Sequence, residues 1–320
     1  MGQLIKLQDY VSRYEQDIYK YPSRFIRLKR LQWQQLYKAW DEGILVNSSP
    51  EVISVTTKEP LGKEKIWGKM KSVFTKNKEE WQSVGTDQVK EWTLVDDETE
   101  NMNRFPLFQF ETMPTTADEL KYQFLEEIYK VQIQWASSTV LEQSNVDISY
   151  FWEKNLKYFM LRFPDTFLFL YKPVFSLKKA EIQTETILLT PLEVVCIKFI
   201  ESEDQAVYIG SEDHFWEKRV NHQRKKFLNP LIALNRTESI IKGIWKQANI
   251  DFPISKVLIS RNGFIDFPSA PYGITLVDHR NYPEWFERMR EFKAPMKNGQ
   301  LKAARALLIH CHSVSKSRIY

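Results

Sequence analysis

The feature that most constrains this chain is a pair of apolar runs, residues 181–189 and 193–200, separated only by Thr190-Pro191-Leu192, with Thr190-Pro191 supplying the turn. Short runs rich in Ile, Leu and Val between turn signals read as strands, and so brief a connection makes them an antiparallel hairpin. The surrounding pattern extends this unit. Further strand-like runs cover 166–172 and 206–209. A helix is predicted over 230–248, with Leu231, Leu234, Ile241 and Trp245 turned inward. Strands return at 257–260 and 274–277, and helices over 283–292 and 300–312 close the chain. Strands interleaved with helices in this order predict an α/β (α+β) fold with a mixed β-sheet flanked by helices.

Residues 1–140 read differently, as a mostly helical N-terminal region ahead of an α/β domain over 141–320. Leu4, Leu7, Val11, Tyr14 and Ile18 recur at helical spacing until Pro22. A second helix follows, with Phe25, Leu28, Leu31, Leu36 and Trp40 on one side and Gly43 at its end. Its first turns carry Arg24, Arg27, Lys29 and Arg30, where the helix dipole prefers anions, so an anionic partner would offset the mismatch. Residues 63–81 alternate lysines with Trp67, Phe74 and Trp81, a basic amphipathic segment suited to an anionic membrane or a phosphate backbone, or to an ordinary surface helix. From 87 to 111 the charge reverses through Asp96, Asp97, Glu98 and Glu100, which reads as an exposed acidic connector. Thr116 and Glu119 form a capping box opening a helix with Leu120, Phe124, Ile128, Val131 and Trp135 on one face, and a further helix covers 150–163.

Composition removes several function classes. With 320 residues and 43% hydrophobic content the chain builds a substantial core. Two cysteines make neither a disulfide framework nor a zinc site and fit a reducing, cytoplasmic compartment. The apolar runs are strand-length, far short of the roughly 20 residues of a membrane span, so no transmembrane segment is expected. No signal-peptide core is present, and Gly-x-Ser-x-Gly, Walker-type and dinucleotide motifs are absent. His310 and His312, two residues apart in a helix, do not share a face and do not read as a metal pair. The net charge of +4 permits anionic partners without demanding them.

One ordered series of pieces carries chemistry. Phe151-Trp152-Glu153-Lys154 lies in a helix ahead of the first strand. Glu185 precedes Thr186-Ile187-Leu188-Leu189-Thr190-Pro191, and Val194-Val195-Cys196-Ile197-Lys198-Phe199-Ile200 forms the second arm of the hairpin. His214-Phe215-Trp216 and then Asn229-Pro230-Leu231 follow, the last opening a helix. Over about 145–290 this series resembles the nuclease-related domain (NERD) family. The resemblance implies a restriction-endonuclease-like fold. It also implies a metal-dependent nuclease site, with a helix glutamate at Glu153, a hairpin carboxylate at Glu185, a second carboxylate at position 198 and a lysine at position 200. Here those last two positions hold Lys198 and Ile200. A cation beside the intended ion repels it, so Glu153, Glu185 and Lys198 read as a degenerate catalytic site with no bound metal; Mg2+ enters only if a divergent nuclease survives. Lys198 is expected either to pair with Glu185 across the hairpin or to persist as a phosphate-binding cation.

A second candidate is the basic stretch Arg219, His222, Arg224, Lys225 and Lys226 between Trp216 and Phe227, a composition suited to nucleic-acid backbone contact and base stacking, and equally to a plain surface loop. Three functional readings result: a catalytically degenerate module binding nucleic acid or a protein partner, a divergent metal-dependent nuclease, and a peripheral scaffold held at a membrane surface by the basic, Trp-rich segments.

Overall fold

A computed structural model describes residues 1–43, 112–177, 180–201, 205–221 and 223–318. The basic segment over 63–81, the acidic connector over 87–111 and His222 lie outside the described residues. Contacts divide the chain into one compact unit, Met1–Ile44 with Pro114–Tyr320, and a second, Leu45–Met113. The description below is of the first.

The unit begins with β1 (Gln3–Leu7), α1 (Arg13–Gln16) and the long α2 (Tyr21–Asp41). It resumes with α3 (Ala117–Trp135), β2 (Glu142–Gln143), a 3-10 turn (Ile148–Phe151) and α4 (Lys154–Arg162). Five strands follow: β3 (Leu168–Tyr171), β4 (Val174–Leu177), β5 (Ala180–Gln183), β6 (Thr186–Leu189) and β7 (Val194–Phe199). Next come β8 (Val207–Ile209), β9 (Phe215–Val220), β10 (Gln223–Leu228) and α5 (Pro230–Gln247). The chain closes with β11 (Ile254–Ser260), β12 (Phe264–Asp266), β13 (Ile274–Asp278), α6 (Tyr282–Arg290), α7 (Asn298–Ile309) and β14 (Lys316–Ser317).

The main sheet has six strands in the order β1-β3-β6-β7-β11-β13. Only β6 runs against the others. Thr190 closes the β6–β7 hairpin, its hydroxyl accepting from Leu192 and Glu193 N–H and donating to the Glu193 carbonyl. Because the remaining strands are parallel, the carboxyl ends of β3, β7, β11 and β13 emerge at one edge, where β6 begins. Helices cover both faces. Tyr129 and Ile133 of α3, Phe159 and Met160 of α4 and Trp285 and Phe286 of α6 share a core with Leu188, Val195, Ile197, Val257 and Ile259. On the other face lie α5 and α7, tied by the Trp245 indole N–H donating to the Ala303 carbonyl at 3.2 Å. A second sheet, in the order β10-β9-β8-β12, is built from the three strands between β7 and α5 and from β12, which follows β11, while β4 pairs with β5 and β2 with β14. The mixed sheet between helices is the fold class that the sequence predicts.

Several local expectations are corrected. Residues 3–7 form a strand and not the start of a helix. β1 is buried throughout, Gln3 and Lys6 included, and an all-buried segment fits helical and strand spacing alike. Its pairing with β3 also puts the N-terminal segment and the α/β core in one body, so the boundary near 140 falls inside the unit. The run over 181–189 is two strands, since Thr184 and Glu185 leave the ladder, and residues 215–228 form a hairpin. In α2, Phe25, Leu28 and Leu36 are buried as read, whereas Leu31 is exposed.

Candidate functional site

The hairpin places Glu185 and Lys198 opposite each other. Lys198 Nζ donates to Glu185 Oε1 at 2.5 Å, and both side chains are mostly shielded, at 25% and 17% exposure. Their sheet face is set by their neighbours. The Glu185 backbone N–H donates to Thr237 Oγ1 of α5, and Cys196, two residues before Lys198, feels Glu238 of α5. The pair therefore lies on the α5 face, and of the two roles open to Lys198 the structure has the cross-strand ion pair. Phe199 packs against Phe159 of α4, with centroids 5.3 Å apart, on the opposite face.

Glu153 stands on that opposite face. It occupies the N-cap of α4 without capping the helix with its side chain. Beside it, burial pushes the Tyr171 hydroxyl up, and the Glu153 carboxylate adds to the effect. The grouping of Glu153 with Glu185 and Lys198 in one pocket is thus corrected: two lie beneath α5, and the third lies on the α4 side. Alternation is the cause, because β7 turns Ile197 and Phe199 toward α4 and Lys198 away. Among the described residues no group of three His, Cys, Asp or Glu side chains could hold a metal ion.

Glu153 lines a different cleft of about 890 Å3, with Trp152, Asn155, Tyr158, Glu201, Arg261, His279 and Tyr282. Arg261 and His279 directly follow β11 and β13, and Glu201 lies two residues past β7, so the cleft sits at the carboxyl edge of three adjacent parallel strands, where ligands of open α/β sheets commonly bind. Arg261 is its centre. It grips Glu201 with Nε at 2.5 Å and Nη2 at 2.6 Å, donates to Asn155 Oδ1, and lies over the Tyr158 ring at 4.9 Å. Burial lowers the Arg261 pKa, but the Glu201 carboxylate outweighs burial and raises it. His279 Nδ1 lies 3.1 Å from the Arg261 carbonyl. A carbonyl only accepts, so Nδ1 carries the proton and a neutral imidazole keeps its lone pair on Nε2. Such a ring can accept a proton or a hydrogen bond from a ligand. The sequence reading missed Arg261, His279, Tyr158 and Tyr282. The available signal was polar residues directly after apolar strands: Arg261-Asn262-Gly263 after β11 and His279-Arg280-Asn281 after β13.

The basic stretch is the β9–β10 hairpin. Arg219 pairs with Arg224, Lys218 with Lys225 and Glu217 with Lys226. Alternation sorts the side chains. Phe215, Glu217, Arg219, Arg224, Lys226 and Leu228 share one face, while Trp216 and Phe227 anchor the other against Phe267 and Tyr208. Phe215 and Leu228 are more than half exposed. Lys225 therefore leaves the group formed by Arg219, Arg224 and Lys226 and lies on the anchoring side. The one carboxylate in these strands, Glu217, pairs with Arg219 at 2.5 Å and Arg224 at 3.8 Å.

No family model matches the chain, and no solved structure matches it. Among curated proteins it is similar to an RNA 2',3'-cyclic phosphodiesterase of Geobacillus stearothermophilus, 30% identical over 132 residues, which is 41% of this chain and 36% of that protein. The chain thus spans about a third of the length of the relative it matches.

Proposed function

We propose that this chain is a nuclease-related module without metal-dependent cleavage that binds nucleic acid through the exposed face of the β9–β10 hairpin. The observation that carries the reading is the register. Arg219 stands directly opposite Arg224 on the exposed face, and like charges directly opposed in a sheet are destabilising. On the exposed face three cations, Arg219, Arg224 and Lys226, stand with one carboxylate, Glu217, which fits a surface whose charge is balanced by a bound anion. Phe215 and Leu228 on the same face offer apolar surface to unstacked bases. The order α4, β3, β6–β7, α5, β11 supports the nuclease-related reading, and the Glu185–Lys198 pair supports the loss of the metal. The relative named for RNA is in keeping with a nucleic-acid partner. No helix among the described residues is long and apolar enough to cross a membrane, and the reading places the protein in the cytoplasm.

The test is a salt titration of nucleic-acid binding. Each phosphate contact contributes roughly 0.7–0.9 to the slope of log affinity against log salt. Neutralising Arg219, Arg224 and Lys226 together should lower the slope by about 2–3 on that scale. Lys225→Ala, on the other side, should change it by less than one contact. Binding that ignores salt, or a Lys225→Ala effect as large as the triple variant, refutes the assigned face.

A second reading is enzymatic and is favoured by the cleft at the strand ends. There Arg261 and Lys154 would meet a phosphate, and His279 Nε2 would exchange a proton with it. A cyclic phosphodiester hydrolysed by the purified protein without added metal, and not by His279→Ala, is its signature.

A further inference from the structure

A second concavity lies away from both of these sites. It is a cleft of about 590 Å3, within the usual size of small-molecule sites, formed largely between α2 and α3. Each helix gives it one stripe at helical spacing: Ile26, Lys29, Arg30 and Trp33 from α2, and Asp118, Lys121, Tyr122 and Leu125 from α3. Leu161 and Arg162 at the end of α4, Asp165 in the loop that follows, and Arg290 of α6 complete the wall. The α2 stripe is not the face that this helix buries, which is Tyr21, Phe25, Leu28 and Leu36.

Two properties define an occupant. The lining is mainly apolar, from Ile26, Trp33, Phe124, Leu125 and Leu161, with no array of side-chain amides or hydroxyls to satisfy a polar ring. The charge is one-sided, with Lys29, Arg30, Lys121, Arg162 and Arg290 against Asp118 and Asp165. Asp165 is already taken by Lys29 at 2.9 Å, and Arg290 pairs with Glu287 at 3.3 Å. Arg162 lies over the Tyr158 ring at 4.1 Å. Arg30 and Lys121, both exposed, have no ion-pair partner among the described residues.

We propose that this cleft binds a monomeric amphiphilic anion, an acyl chain ending in a carboxylate or phosphate, with the tail on the Trp33, Leu125 and Leu161 surface and the head held by Arg30 and Lys121. A nucleotide suits it less, because the polar edge of a base would lose its hydrogen bonds against these walls. A bilayer suits it less, because a flat surface does not enter a concavity between helices. The cations in the first half of α2 then answer a bound head group, although they oppose the helix dipole.

The experiment is calorimetric titration of the full chain with palmitate and laurate below their micelle concentrations, with cetyl alcohol, and with phosphatidylglycerol vesicles. Palmitate should bind and laurate should bind more weakly, by up to about fourfold per missing methylene. Cetyl alcohol should bind at least tenfold more weakly than palmitate. Arg30→Glu with Lys121→Glu should weaken palmitate at least tenfold while leaving thermal unfolding unchanged, since both positions are exposed; Leu161→Asn should weaken it by shortening the apolar wall. Equal affinity for the acid and the alcohol overturns the proposal. So does indifference to the charge reversal, displacement of palmitate by a mononucleotide, or vesicle binding without monomer binding.

Discussion

Reversing the charge at Lys198 isolates the pair that occupies the hairpin. Lys198→Glu removes the 2.5 Å contact and sets two carboxylates together in a site where neither partner is more than a quarter exposed. Losing an ion pair of this shielding costs about 1–2 kcal/mol. Two like charges about 4 Å apart repel by about 4 kcal/mol at an effective dielectric near 20, and side-chain rotation into solvent relieves about half of that. The expected destabilisation is therefore about 3–4 kcal/mol. In a unit of this size that is a fall in melting temperature of about 6–15 °C. Thermal unfolding followed by circular dichroism measures it. The exchanged variant, Glu185→Lys with Lys198→Glu, should regain more than half of the loss. Magnesium should regain little of it in Lys198→Glu, because Glu153 stands across the sheet and cannot complete the ligand set. A neutral Lys198→Glu, or an exchanged variant as unstable as the two single changes added together, refutes the energetic role of the pair. A large rise in stability with magnesium would show instead that the α5 face retains a metal site.

The unmodified protein should not cleave DNA or RNA with magnesium or manganese, as a gel assay with either metal will show. Installing the Glu-x-Lys spacing of nuclease-related domains with Lys198→Glu and Ile200→Lys should also leave it inactive, since Glu153 lies on the other face; metal-dependent cleavage by that variant would overturn the placement. Arg261→Met leaves Glu201 without its cation in a mostly shielded site and should cost about 3–5 kcal/mol by chemical denaturation. Burial raises the Asp278 pKa, but hydrogen bonds from the Arg280 side chain and from the Ile265 and Arg280 amides outweigh burial and lower it. Its folded value thus lies below its unfolded one, so its contribution is complete above the ordinary carboxylate range and is lost as pH falls through the depressed value; Asp278→Asn should flatten the acid limb of a stability–pH curve. Burial pushes the Cys196 thiol up to about 12, so alkylation at mildly alkaline pH should require unfolding.

Much of the architecture was legible because β6, β7 and β11 are apolar runs bounded by turn chemistry, and because Pro230 and Thr116 mark helix starts. Two elements escaped for opposite reasons. β1 is buried on both sides, so no alternation distinguishes it from a helix. In β9–β10 the inward residues Trp216 and Phe227 are diluted by cations on both faces, so period-two patterning is lost. For the site, the hairpin register was readable from Thr190-Pro191, which is why Glu185 and Lys198 could be paired. The position of Glu153 was not readable, because which face a helix covers depends on a crossover and not on local spacing. The Arg261–Glu201 grip joins residues 60 apart in sequence, and no short motif announces it.

The burial of Lys6 carries a consequence for synthesis. Its side chain is fully shielded in β1, and its ammonium donates to Glu15, to the Tyr10 carbonyl at 2.7 Å and to Ser313 Oγ at 2.6 Å. β1 itself pairs with β3, Gln3 meeting Leu168. On a ribosome adding roughly 5–20 residues per second, β1 waits about 8–30 s for its neighbouring strand, and its cation waits longer still for the last acceptor. Through that interval the nascent chain presents an unpaired apolar edge, which other chains or chaperones can reach. The Lys6 site is sealed only when Ser313 has left the exit tunnel.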